Sequence, residues 1–139
     1  VGTRRRRGKA AVASASPIAF LPSTDLDRSR QFFADRLGLA VEEVTPFACV
    51  VRVGTTMLRV TKVDQPHAQP FTVFGWAVLD IHAVVADLGD AGIPCVSHDG
   101  MDQDAAGVWT TPGGDRIAWF RDPDGNTLSL TQFVAARVT

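Results

Sequence analysis

The sequence feature that most constrains the fold is an order of elements that occurs twice. In each half an apolar strand precedes an aspartate that can cap a helix, with Thr24 as the alternative cap in the first half, and these aspartates, Asp25 and Asp80, lie 55 positions apart. Each predicted helix ends about a dozen residues later at a glycine, Gly38 or Gly92, and further short strands follow. One helix covers one face of a sheet, so neither half makes a good domain alone. The repeat therefore predicts one domain built from two paired βαβββ modules.

Turn and linker residues set the boundaries of the modules. Module one spans 17–63 and module two spans 71–133. The segment between them, residues 64–70, is polar, contains two prolines and lacks periodicity, which indicates a linker. The predicted fold class over residues 17–136 is α+β, with a curved, mostly antiparallel mixed sheet around a cleft and helices on its outer face. Strands are predicted at 17–23, 39–46, 47–54 and 56–63, and then at 71–79, 93–100 and within 108–133.

Composition limits the partners of this domain. The 139 residues are 45% apolar and 21% charged, and no stretch approaches the ~20 apolar residues of a membrane span. Five of the 14 basic residues lie in the first nine positions, so nine basic residues face 15 acidic ones in the rest. This acidic body argues against nucleic acid as a partner. Cys49 and Cys95 lie in separate apolar segments, which indicates buried thiols and a cytoplasmic protein.

The basic segment at residues 1–16 has two interpretations. We expect a disordered tail or an extended start to the folded domain. The alternative is an export signal, because paired arginines precede an apolar run and small residues. The run "AAVASA" is, however, shorter and less apolar than the ~7–15-residue core of such signals.

Alternation along the strands predicts which residues line the cleft. Leu58 and Val60 should pack toward the helices, as should Leu128 and Leu130, because successive residues of a strand face opposite sides. The opposite parity gives apolar walls, hydroxyl groups and one cation, a composition typical of a ligand site. The predicted ligand-binding residues, with His98 added from a neighbouring loop, are Phe20, Met57, Arg59, Val73, His98, Thr127, Ser129 and Thr131.

Two stretches indicate a family. "STDLDRSRQFFADRLGL" follows the first strand, and "FRDPDGNTLSL" lies near the end of module two. With the doubled element order, they resemble the vicinal oxygen chelate superfamily, which includes glyoxalase I, extradiol dioxygenases, and fosfomycin- and bleomycin-resistance proteins. The resemblance covers residues 17–133 and implies the same fold, a small-molecule ligand and a homodimer. It does not decide whether the modules pair within a chain or are exchanged between chains.

The resemblance also implies where a metal would bind in the family's enzymes. Their ligands, usually His or Glu, come from the first and last strand of each module. The corresponding residues here are Ile18, Arg59, Val73 and Ser129. Aliphatic side chains and an always-protonated guanidinium cannot hold a divalent ion. We therefore predict no metal and no cofactor, as in the bleomycin-resistance branch.

The loop that begins at His98 offers a different cation site. It also contains Asp99, Asp102 and Asp104, although a solvated polar loop is the simpler interpretation. No nucleophile motif is present and no catalytic residue is assigned. Trp109 and Trp119 flank the turn at 112–115 and are typical of core or interface positions, with a lining role as the alternative.

The sequence favours a protein that binds a small organic molecule, anionic or aromatic, in a metal-free cleft. Arg59 would anchor the ligand, or alternatively an internal acid would hold it in a structural role. One rival function is a lyase, isomerase or dioxygenase-type enzyme that is metal-independent or uses another metal site. Another is a structural dimer whose cleft has lost its role.

Overall fold

The computed structural model describes residues 9–134. Helix α1 comes first, and two modules of one helix and four strands follow. The elements are α1 (Lys9–Ala13), β1 (Ile18–Ser23), α2 (Leu26–Arg30) with a π-helical continuation (Gln31–Arg36), β2 (Ala40–Val44), β3 (Ala48–Val53), β4 (Thr56–Lys62), β5 (Phe74–Ala77), α3 (Ile81–Asp90), β6 (Trp109–Thr110), β7 (Arg116–Arg121) and β8 (Thr127–Gln132).

The strands form two four-stranded mixed sheets with the same internal order. The first sheet runs β1-β4-β3-β2 and the second runs β5-β8-β7-β6. In each sheet one pair, β1 with β4 or β5 with β8, is parallel and the other pairs are antiparallel. The predicted α+β class and doubled βαβββ order are thereby confirmed. Within residues 9–134 no ladder joins the sheets, so β1 and β5 are both edge strands.

The helix caps predicted from the sequence are confirmed. Asp25 accepts a hydrogen bond from the amide of Arg28 at 3.1 Å, and Asp80 accepts one from the amide of Ala83 at 3.2 Å. Each carboxylate satisfies an amide of the first helical turn that has no partner within the helix.

The continuation of α2 is wound as a π-helix, which the sequence did not predict. The amide of Leu37 donates to the carbonyl of Phe32, five residues earlier, at 3.0 Å. The wider turn brings the adjacent Phe32 and Phe33 into the core together, with their rings edge to face at 5.1 Å.

The structure corrects the prediction in the second half of module two. Residues 93–98 do not form a regular strand: the amide of Val96 donates to the carbonyl of Trp119 on β7 at 2.8 Å, but neighbouring backbone groups bond outside the sheet. The side chain of Gln103 accepts from the amide of His98 and donates to the carbonyl of Val96, and Pro94 has no amide to give. The outer strand of the second sheet is the two-residue β6.

The structure at the ends of the domain, and at the start of module two, also differs in part from the prediction. Lys9–Ala13 form a helical turn, where a disordered or extended tail was predicted. Residues 1–8 of that tail, and residues 135–136 of the predicted domain, lie outside the described residues. Strand β5 is shorter than the predicted 71–79.

A single hydrophobic core joins the modules. It contains inward-facing residues of both sheets, such as Leu58 and Leu128, together with the buried faces of α2 and α3. Leu37 and Leu39 of module one reach Phe120 on the second sheet around an apolar cavity of about 230 Å³. The helix-bearing faces of both sheets therefore share this core, and the opposite faces point away from it.

Candidate functional site

The candidate site is the face of each sheet that lies opposite the helices, which we call the open face. On the first sheet, strand register aligns Phe20, Arg59 and Val50 in one row. Met57 is half-buried and lies in the next row beside Ile18. Phe20 is 61% exposed, so this open face presents apolar side chains to solvent around a guanidinium.

Two half-buried cations of the described chain lie on the first open face: Arg52, in the row of Met57, is paired with Glu42, whereas Arg59 is not paired. The Arg59 guanidinium has no ion pair or hydrogen bond with any residue in the described part of the chain. A purely structural role for Arg59 would require a carboxylate partner from the loop after His98. Asp104 of that loop forms a hydrogen bond with His82 at 2.8 Å instead. An unpaired guanidinium on an apolar face can grip a carboxylate with two parallel hydrogen bonds or stack on a planar ring.

On the second sheet, one row of the open face contains Gly75, Ser129 and Trp119. Ser129 is 8% exposed. A Cβ atom on Gly75 would lie 2.7 Å from the Ser129 hydroxyl oxygen and 2.8 Å from its carbonyl oxygen. Only glycine permits this close approach of β5 to β8. Because position 75 has no side chain, the Ser129 hydroxyl occupies the space beside it, between Gly75 and Trp119 in the row.

Three aromatic rings form a wall along one side of this row. Trp109 and Trp119 stack at 6.2 Å with an angle of 28° between their planes. His98 meets Trp119 edge to face at 4.8 Å, and its Nε2 atom is buried without a hydrogen-bond partner among the described residues. The sequence favoured a core or interface role for the tryptophans, with a lining role as the alternative. Their place on the open face follows from the alternation of Trp119 with the buried Phe120.

The other predicted residues of the second sheet differ in how accessible they are to a ligand. Thr127 is 2% exposed, and its hydroxyl donates to the carbonyl of Gln69 in the linker at 2.9 Å, so this group is already engaged. Thr131 is half-buried between Ala77 and Ile117.

Val73 is 37% exposed at the edge of the second sheet, where its amide donates to the Thr127 carbonyl. The eight predicted residues thus fall into two groups. Phe20, Met57 and Arg59 lie on the first open face, whereas Val73, His98, Thr127, Ser129 and Thr131 lie on or beside the second.

The loop after His98 is fastened to α3. Oδ1 of Asp104 accepts from the amides of Ala106 and Val108, and Oδ2 contacts His82. The hydrogen bond from His82, then those from the backbone, hold the pKa of the Asp104 carboxyl below its ordinary value. Between residues 9 and 134, no three His, Cys, Asp or Glu side chains group as metal ligands would.

Comparison with known proteins identifies the family. The family model for the glyoxalase/bleomycin resistance protein/dioxygenase superfamily matches residues 15–130. The chain belongs to this superfamily. A search of curated proteins found no match.

Solved structures of the superfamily share the fold at low sequence identity. A glyoxalase/bleomycin resistance protein/dioxygenase from Alicyclobacillus acidocaldarius is 17% identical, with a TM-score of 0.70 over 91% of this chain and 96% of that one. A lactoylglutathione lyase from Agrobacterium tumefaciens is 19% identical, with a TM-score of 0.65 over 86% and 93%. A bleomycin resistance determinant encoded on transposon Tn5 is 23% identical, with a TM-score of 0.65 over 88% and 100%.

The metal positions of the superfamily fall on the open faces but carry unsuitable side chains. Ile18 and Arg59 belong to the first face, and Val73 and Ser129 to the second. Two alkyl groups and a guanidinium donate no lone pair, and a single serine hydroxyl is a weak ligand for a transition metal. The residues present therefore do not fit the family's divalent ion.

Among residues 9–134, none of the helices has the length and apolar character needed to span a membrane.

Proposed function

We propose that this protein binds a small organic molecule with an anionic group and a planar aromatic part, in a cleft that uses no metal. The observation that carries the proposal is Arg59, a half-buried cation without a protein partner in residues 9–134, set in an otherwise apolar row. Desolvating a guanidinium costs free energy unless a partner compensates it. A ligand carboxylate would supply that compensation.

The second open face supplies the features that an aromatic part would need. Trp119 offers a ring for stacking, and Ser129 offers a hydroxyl that can both donate and accept a hydrogen bond.

We further propose that two copies of the chain form the cleft. Ile18 and Phe20 on the first open face are 48% and 61% exposed, and Val73 beside the second is 37% exposed, so both faces present apolar side chains that a second copy could cover. The helix-bearing faces already share a core within one chain. The first open face of one protomer would therefore be covered by the second open face of its partner, and Arg59 would then face the tryptophan wall.

A second candidate function is metal-independent proton transfer on the bound ligand, as in a lyase or isomerase. It is favoured by the buried Nε2 atom of His98, which has no hydrogen-bond partner in residues 9–134 and lies beside the tryptophan wall. An imidazole there could act as a general base once a substrate proton is within hydrogen-bond reach. In this case His98→Gln would abolish turnover while leaving ligand affinity within a few fold of wild type.

We place this activity in the cytoplasm. Cys49 and Cys95 are both free thiols, and burial raises the pKa of each. Protonated, unpaired thiols suit a reducing compartment.

A thermal-shift screen of aromatic carboxylates, followed by calorimetry of any compound that raises the melting temperature, tests the proposal. Arg59→Met should weaken binding by roughly ten- to a hundredfold, as expected for a lost charge-assisted contact. Arg59→Lys should restore only part of the affinity, because an ammonium lacks the planar fork.

The matched control is Arg52→Met on neighbouring strand β3. That guanidinium is already paired with Glu42 at 2.8 Å, so its loss should leave affinity unchanged. Equal losses in the Arg52 and Arg59 variants would reject Arg59 as the anchor.

A further inference from the structure

A second cavity lies at the seam between the modules and has a different composition from the open faces. Its volume is about 230 Å³. Phe32 of module one and Ile93 of module two are buried and form an apolar floor. Arg36 and Arg121 line the same cavity, one from each module.

Both guanidiniums are available to a ligand. The side chain of neither Arg36 nor Arg121 has a hydrogen bond or ion pair with any of residues 9–134. A Cβ atom on Gly92 would lie 2.9 Å from Nη2 of Arg36. The glycine, which has a φ of +78°, thus leaves the space that the guanidinium occupies.

The carboxylate in the wall of this cavity does not neutralise the two cations. Asp122 accepts hydrogen bonds from the amides of Asp124 and Asn126 and from the side chain of Asn126, all within its own turn. No guanidinium of residues 9–134 lies within ion-pair range of Asp122. Two guanidiniums against one carboxylate leave the cavity wall with a net positive charge.

We propose that this seam cavity binds a small organic carboxylate, with the anion between Arg36 and Arg121 and the apolar part over Phe32 and Ile93. Cavities of about 150 Å³ accommodate benzene, so the volume here admits one ring with its carboxylate. Because the arginines come from different modules, such a ligand would link the modules and raise the stability of the fold. The site goes beyond the proposed function, since it contains neither Arg59 nor the tryptophan wall.

Titration of the full chain with benzoate, monitored by melting temperature and calorimetry, tests the proposal. Benzoate should raise the melting temperature in a saturable way, and added salt should weaken its binding. Arg36→Gln and Arg121→Gln should each lower the affinity about ten- to a hundredfold. Arg116→Gln is the matched control, because it removes a charge from the same strand, β7, outside the cavity.

Any of the following three outcomes would overturn the assignment of the seam cavity as a carboxylate site. If benzoate gives no rise, or a rise that persists in the Arg36→Gln/Arg121→Gln double variant, the seam cavity is not its site. If the rise is lost in Arg59→Met but kept in the double variant, benzoate binds the open face, which supports the proposed function and rejects the seam site. If inorganic phosphate binds as tightly as benzoate, the apolar floor contributes nothing and the organic class is wrong.

Discussion

Oδ1 of Asp124 accepts hydrogen bonds from both the amide and the hydroxyl of Thr24, at 2.8 and 2.7 Å, although the two residues are 100 positions apart. Arg28 adds a third contact to the same oxygen at 3.0 Å. Nearby, the side chain of Asn126 donates to the carbonyl of Pro22. The "DPDGN" turn that resembles the superfamily therefore acts in this chain as a clamp between module two and the start of α2.

Loss of the clamp should destabilise the fold. We expect Asp124→Ala to lower the free energy of unfolding by about 1.5–3 kcal/mol, because three donors lose an ionised acceptor whose side chain is 3% exposed. Urea denaturation measures the change. Asp99→Ala, in an exposed loop, should cost less than about 0.5 kcal/mol. Equal stability of the two variants would contradict the clamp.

The same carboxylate should make stability depend on pH in the acid range. Burial opposes ionisation of Asp124, but the two hydrogen bonds from Thr24 and the charge of Arg28 outweigh it and hold its pKa below the ordinary value. Its stabilising contribution is then complete above the unfolded pKa of about 3.9 and is lost as the pH falls through the folded pKa.

The difference in melting temperature between wild type and Asp124→Asn should therefore be constant near neutral pH and shrink below about pH 4. Asp122 acts in the opposite direction, since burial raises its pKa, and it is unchanged in both proteins. A difference that grows on acidification would be inconsistent with a lowered pKa for Asp124.

Substitution of Arg59 should separate binding from stability. Arg59 has no protein partner in the described chain, so Arg59→Met leaves no acid stranded and removes the desolvation of a charge. We expect its melting temperature to equal or slightly exceed that of wild type, as measured by differential scanning calorimetry. A large drop would restore the structural interpretation of this arginine.

Metal content can be predicted from the side chains at the family's ligand positions. Protein purified without chelator should contain no stoichiometric zinc, iron, manganese or nickel bound through residues 18, 59, 73 and 129, because their donor set is unsuitable. Elemental analysis tests this directly. A metal that is present in wild type and lost in Ser129→Ala would refute the prediction.

The chain should form a homodimer in solution. Light scattering at micromolar concentration should give about twice the chain mass of 14.9 kDa. Phe20→Asp places a charge on an apolar side chain that is 61% exposed, and should shift the protein toward monomer if this face is covered by a second copy. Thr55→Asp, at the exposed β3–β4 turn, is the control. A wild-type mass near that of a single chain would rule the dimer out.

The sequence determined most elements of the fold and, within the strands, the sides on which their residues lie. Asp25 and Asp80 cap helices because a short side-chain oxygen reaches the amides of its own first turn, a purely local effect. Leu58 and Leu128 are buried because alternation in a strand has a period of two wherever the strand is placed. The same alternation also put Arg59 and Ser129 on the face opposite the helices.

Tertiary structure decided what each of those residues contacts. The side chain of Gln103 satisfies backbone groups of Val96 and His98, and the carbonyl of Gln69 accepts from the hydroxyl of Thr127. Such side-chain hydrogen bonds leave no pattern in the periodicity of the sequence. The separation of the open faces follows from the core that both helices share, a packing choice that the strand pattern leaves open. Arg36 and Arg121, 85 positions apart in the sequence, border one cavity only because the modules fold against each other.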